Sequence, residues 1–121
     1  MFVYGTLRPE TSPGIHGMTH NVKIVNPNFK LEGFCLYMSH DYPTISEHKG
    51  SSVIGALCLV DINDEIALDR YEGYPNFYEK RDIKTDDKEI AIYFQPKPKI
   101  TTIIESGDFI KWVNKQRLLM K

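Results

Sequence analysis

The stretch "SVIGALCLVDI" constrains this chain more than any other, because both of its alternating sets are apolar. Val53, Leu57 and Leu59 fall on one face of an extended backbone, and Ile54, Ala56, Cys58 and Val60 fall on the other. A half-exposed strand alternates apolar with polar residues; this pattern predicts a strand covered on both sides. "LEGFCLYMS" has the same character, with Phe34, Leu36 and Met38 alternating with Cys35 and Tyr37. Any fold must therefore place two layers against a sheet that contains these segments.

The remaining segments supply those layers. Phe2 to Tyr4 favour an extended backbone and are broken at once by Gly5 and Thr6. "RPETSPGIHGMTHNVKIVNPN" is rich in turn formers and reads as a long loop, with at most a helical turn near His16 to His20 and a short strand at Val22 to Val25. "HDYPTISEHKGSS" reads as a second loop. "NDEIALDRYEGYP" predicts a helix of two to three turns, with Asn63 as N-cap and Gly73 and Pro75 marking the stop. "YEKRDIKTDDKEIAIYFQ" predicts a hairpin turning at Asp86–Asp87, and Ile100 to Ile104 a short extended piece. Phe109, Trp112, Val113, Gln116 and Leu119 or Met120 recur at helical spacing after a cap at Ser106 or Asp108. Strands outnumber helices and alternating βαβ units are absent. The expected class is α+β: a small mixed, largely antiparallel β-barrel with flanking helices, as one domain over residues 1–121.

Charge narrows the partners. With 15 basic and 16 acidic residues the net charge is -1, which argues against nucleic acid, since phosphate binding requires a basic excess. No apolar run reaches the roughly 20 residues of a membrane span, and no basic and apolar leader is visible. A cytoplasmic protein is expected, with Cys35 and Cys58 as reduced, buried thiols; a disulfide requires that their strands be neighbours. His16 and His20 have i,i+4 spacing, but Gly17 and Thr19 weaken a helix there, and His40 and His48 lie apart. No metal site or cofactor is expected.

Glu72 stands out. It closes the predicted helix at the end where the dipole disfavours a negative charge, and it shares a face with Leu68 four residues earlier. Partial burial there raises a carboxylate's pKa toward the range of a general base. Helix position alone fits a solvated Glu paired with a Lys or Arg better. Tyr4, Gly5, Thr6 and Leu7 form a strand-to-loop break whose N–H groups can gather around an anion, given a glycine that tolerates unusual backbone angles. A plain turn explains the same residues.

Four motifs then carry a resemblance in order along nearly the whole chain. "VYGTLR", "LYMSHDYP", "LDRYEGYPNFYEKR" and "IESGDFIKW" resemble the gamma-glutamylcyclotransferase family, in particular its gamma-glutamylamine cyclotransferase and AIG2-like branch. The resemblance implies a small β-barrel with flanking helices. It implies a small-molecule γ-glutamyl substrate, whose α-amine attacks its own γ-carbonyl and releases 5-oxoproline and a free amine. It assigns the catalytic carboxylate of the "EG" motif to Glu72 and the substrate loop to Tyr4, Gly5, Thr6 and Leu7. Tyr78 follows the motif as a pocket tyrosine or, equally, as a core aromatic with a satisfied hydroxyl. Tyr42 and Pro43 match the family's YP step at a pocket wall. Arg81 reads as a surface ion-pair partner and Arg8 as a solvated loop arginine. The competing reading is a catalytically silent module that binds a small ligand in the same pocket. A monomer or weak homodimer is expected.

Overall fold

The computed structural model describes residues 1–11, 14–19, 21–85 and 88–119. Its elements run β1 (Phe2–Val3), α1 (Gly14–Met18), β2 (Lys23–Ser39), β3 (Tyr42–Leu59), α2 (Ile62–Glu72), β4 (Glu79–Thr85), β5 (Lys88–Phe94), β6 (Ile100–Ile104) and α3 (Phe109–Leu119). Two antiparallel sheets result: a four-stranded sheet in the order β1-β3-β2-β6, and the β4-β5 hairpin. The α+β class stands. Every pairing among the described residues is antiparallel, and the sheet is not a closed barrel, so the expected mixed, largely antiparallel barrel is corrected to open antiparallel sheets. Alternating apolar positions report burial on both faces but not whether the edge strands meet.

The doubly apolar strand does what its pattern requires. Val53 and Leu57 of β3 enter one core cluster with Phe2, Leu36, Ile92 and Phe109. Ala56 and Cys58, of opposite parity, enter a second cluster with Val3, Leu7, Leu68 and Tyr93. The sheet thus divides two cores, with α3 covering one side and α2 the other. Leu59, on the same face as Val53 and Leu57 at the end of the strand, is 61% exposed.

The second predicted loop is instead the start of a strand. β2 and β3 turn tightly at His40–Asp41 and pair from Ser39↔Tyr42 back to Lys23↔Leu59. Register shifts near Asn26 and Gly33 absorb the turn-forming residues that read as breaks. Pairing with a neighbour outweighs local loop propensity here. The predicted turn at Asp86–Asp87, His20 and Met120 lie outside the described residues, although Thr85↔Lys88 is the last pair on either side of that turn. Cys35 and Cys58 are on neighbouring strands, but their partners are Ser46 and Ile24, and both thiols are free. Cys35 is half-buried rather than buried. No helix among the described residues is long and apolar enough to cross a membrane.

Candidate active site

Helix α2 is built to present its last residue. Asp61, not Asn63, is the N-cap: its carboxylate accepts from the Asp64 N–H at 2.8 Å. Leu68 is fully buried and anchors the helix on the second core. Gly73 ends it in the left-handed region at φ 65°, a backbone that favours glycine. Glu72 is therefore the final helical residue, one turn beyond Leu68, and it lines a pocket of about 470 Å³.

Two carboxylates three residues apart on this helix have opposite surroundings. Asp69 accepts from the Lys80 ammonium at 2.9 Å and from the Tyr93 hydroxyl at 2.5 Å. Glu72 has no hydrogen-bond or ion-pair partner among the described residues, and burial alone pushes its carboxyl up to about 7. The reading as a solvated, paired Glu does not describe it. A carboxyl poised near neutrality can both accept and return a proton.

The Tyr4–Leu7 segment forms another wall of the same pocket. Its carbonyls are turned to the protein: Gly5 O accepts from the Arg8 N–H at 3.0 Å, Thr6 O from the Thr11 hydroxyl at 2.5 Å, and Leu7 O from the Ile15 N–H at 2.9 Å. Among the described residues the N–H groups of Gly5, Thr6 and Leu7 have no acceptor. Successive free N–H groups at a concave surface form an anion-binding nest. Gly5 is needed here for a reason other than backbone angle, since its φ is not positive. A Cβ on it would sit 2.6 Å from Pro43 Cγ, so the loop lies directly on the start of β3.

Arg8 is not a solvated loop arginine. It is 2% exposed, and its guanidinium donates to Asp108 Oδ1 at 2.9 Å and to Glu10 Oε2 at 2.8 Å. Asp108 also accepts from the Lys111 N–H at 3.2 Å at the start of α3. The "YGTLR" and "SGDF" motifs are thus one structural unit, in which the cap of α3 holds the base of the loop. Arg81 pairs with Glu47 at 2.6 Å on the surface, as expected.

Tyr78 satisfies both of its readings at once. It is buried, its hydroxyl donates to Pro43 O, and it lines the pocket. Tyr4 donates to Tyr93 O at 2.6 Å. Burial holds the Tyr4, Tyr78 and Tyr93 hydroxyls above the ordinary phenol range, so all three stay protonated. Each has committed its proton to the protein, which leaves oxygen lone pairs as its polar offering to a ligand. Sequence reasoning missed Tyr93, Tyr71 and Phe77, which also line the pocket. Tyr71 and Phe77 flank the EG motif and were within reach of it; Tyr93 sits in an apolar strand and carries no local signal. No group of three or more His, Cys, Asp or Glu side chains among the described residues is arranged to hold a metal ion.

The chain is similar to three solved structures. An uncharacterised protein of Pyrococcus horikoshii superposes with a TM-score of 0.75 at 21% identity, covering 97% of this chain and 94% of that one. Protein ytfP of Escherichia coli gives 0.70 at 26% identity, covering 96% and 97%. YkqA of Bacillus subtilis gives 0.70 at 24% identity, covering 96% of this chain and 42% of its own. No curated protein matches. The sequence profile described as "Gamma-glutamyl cyclotransferase, AIG2-like" matches residues 1–112, a span that holds the loop, the YP step, the EG motif and the Arg8–Asp108 pair. This chain belongs to the AIG2-like gamma-glutamyl cyclotransferase family.

Proposed function

We propose that this protein is a γ-glutamyl amide cyclotransferase in which Glu72 moves the protons and the Tyr4–Leu7 loop receives the glutamyl group. The observation that carries the reading is a carboxyl with no partner among the described residues, pushed up to about 7, in a pocket also lined by Gly5, Thr6 and Leu7, whose N–H groups have no acceptor among those residues. The Glu72 carboxylate takes a proton from the substrate's α-ammonium. The freed amine attacks the γ-carbonyl carbon, and the carbonyl π electrons move to oxygen, where loop N–H groups meet the developing charge. The oxyanion then re-forms the carbonyl and expels the amide nitrogen, which takes the proton held by Glu72. The ring nitrogen's surplus proton passes through Glu72 to the released amine. The products are 5-oxoproline and an alkylammonium ion. Because ring closure is intramolecular, folding the glutamyl chain in the pocket supplies much of the rate. No cofactor is required, and cytoplasmic placement is part of the same proposal.

The test is 5-oxoproline release from a panel of γ-glutamyl amides. Native protein is expected to release it, and Glu72→Gln to lose about 10²- to 10⁴-fold in kcat/KM, the usual worth of a positioned general base. No release from any amide, with ligand affinity equal in native and Glu72→Gln protein, would sink the enzyme reading in favour of a binding module.

A further inference from the structure

Three exposed aromatic side chains stand at the pocket opening. Tyr42, Tyr71 and Phe77 are 50%, 44% and 47% exposed, and all three line the cavity. Scattered apolar residues on a surface are ordinary, but three large rings gathered at one cavity mark a ligand site.

The rings are held in place. The Phe77 N–H donates to Gly73 O at 2.8 Å, so the turn that follows Glu72 also positions Phe77. Its ring meets Tyr42 edge-on at 4.9 Å and Tyr78 at 5.3 Å, which makes a continuous aromatic wall from buried Tyr78 to exposed Tyr42. Tyr71 is fixed by a 2.9 Å hydrogen bond between its hydroxyl and Thr6 Oγ1.

Charge selects among the amines such a wall can take. Among the described residues, Asp41, Arg70 and Glu72 are the charged ones lining the pocket. With Glu72 engaged by the glutamyl amine, Asp41 and Arg70 remain, and their opposite signs favour neither an anionic nor a cationic leaving group. Space is sufficient: about 470 Å³ holds on the order of fifteen water-sized groups at ~30 Å³ each, more than a glutamyl group fills.

We propose that Tyr42, Tyr71 and Phe77 form the subsite for the leaving amine, and that this amine carries an uncharged aromatic group. The proposal rests on the cyclotransferase reading for the identity of the glutamyl half. Its substrate is then the product of a reaction that acylates an arylalkylamine with the γ-carboxyl of glutamate.

The experiment compares γ-glutamyl phenethylamide with γ-glutamyl methylamide, γ-glutamylglycine and γ-glutamyl-lysine. Turnover is measured on native protein, and affinity on the Glu72→Gln variant. The phenethylamide is expected to exceed the methylamide by about tenfold or more in both. Phe77→Ala should reduce that ratio about tenfold, and Phe77→Tyr, which keeps the ring, should preserve it. A preference for the glycine or lysine amide, or a ratio untouched by Phe77→Ala, overturns the subsite. If no amide is turned over, the cyclotransferase reading falls, and affinity decides alone. Tighter phenethylamide binding that Phe77→Ala removes supports the subsite, and equal binding of all four amides overturns it.

Discussion

The β2–β3 hairpin and the Tyr4–Leu7 loop treat the same backbone groups in opposite ways. In the hairpin, the strands pair from Lys23↔Leu59 to Ser39↔Tyr42, interrupted only at the register shifts near Asn26 and Gly33. In the loop, the carbonyls of Gly5, Thr6 and Leu7 are paired, while their N–H groups have no acceptor among the described residues. Asp69 and Glu72 repeat the contrast in side chains, one doubly partnered and the other bare. An unsatisfied polar group costs stability; on the proposed reading, a ligand in the pocket satisfies these. The scaffold is finished without the site, and the site is held by the scaffold through Arg8 and Pro43.

The comparison breaks most severely if that hold is removed. Asp108→Ala deletes the partner of a guanidinium that is 2% exposed and removes the α3 cap together with it. A stability loss of about 3 kcal/mol is expected by denaturant unfolding. A loss under about 0.5 kcal/mol would mean that Glu10 alone suffices.

Gly5→Ala should act on the site more than on the fold. The added methyl meets Pro43 at 2.6 Å, and the loop must shift. A fall of about 10- to 100-fold in kcat/KM is expected, the scale of a displacement near 1 Å, with most of the thermal stability retained. Equal activity in the variant would show that the position of the loop does not matter.

Glu72 sharpens the contrast through pH. Its carboxyl moves from 4.5 to about 7 on folding, so between those values the folded state binds more protons than the unfolded state. Stability from this group is therefore greatest below pH 4.5 and is lost as pH rises through about 7. Glu72→Gln escapes that loss, and its stability advantage over the native protein should grow across this window to about 1–2 kcal/mol, discounted for partial solvent access. Activity should run the other way, with kcat/KM rising to a plateau above about pH 7, because the base must be ionised. A flat difference in stability across the window would mean that Glu72 is solvated.

Residues whose signal is local were legible. Gly73 after a 3.6-residue pattern ends α2, Leu68 four residues before Glu72 places the carboxylate on the packed side, and the two parities of residues 53–58 feed two cores. Residues whose state depends on a distant partner were not. Pro43 and Gly50 suggested a loop because nothing near them in sequence shows that β2 will pair with it. Arg8 read as solvated because its partner is Asp108, one hundred residues away.

The sequence by itself determined the doubly covered strands, the helix that ends at Glu72, and the family to which those motifs belong, because periodicity, caps and short motifs are written over a few adjacent residues. Only the tertiary structure decided that the sheet stays open, that Asp69 is paired with Lys80 and Tyr93 while Glu72 has no partner among the described residues, and that the Tyr4–Leu7 loop shares a pocket with that carboxyl. Those outcomes turn on which groups meet across the fold, and burial with or without a partner is a property of the meeting, not of either residue.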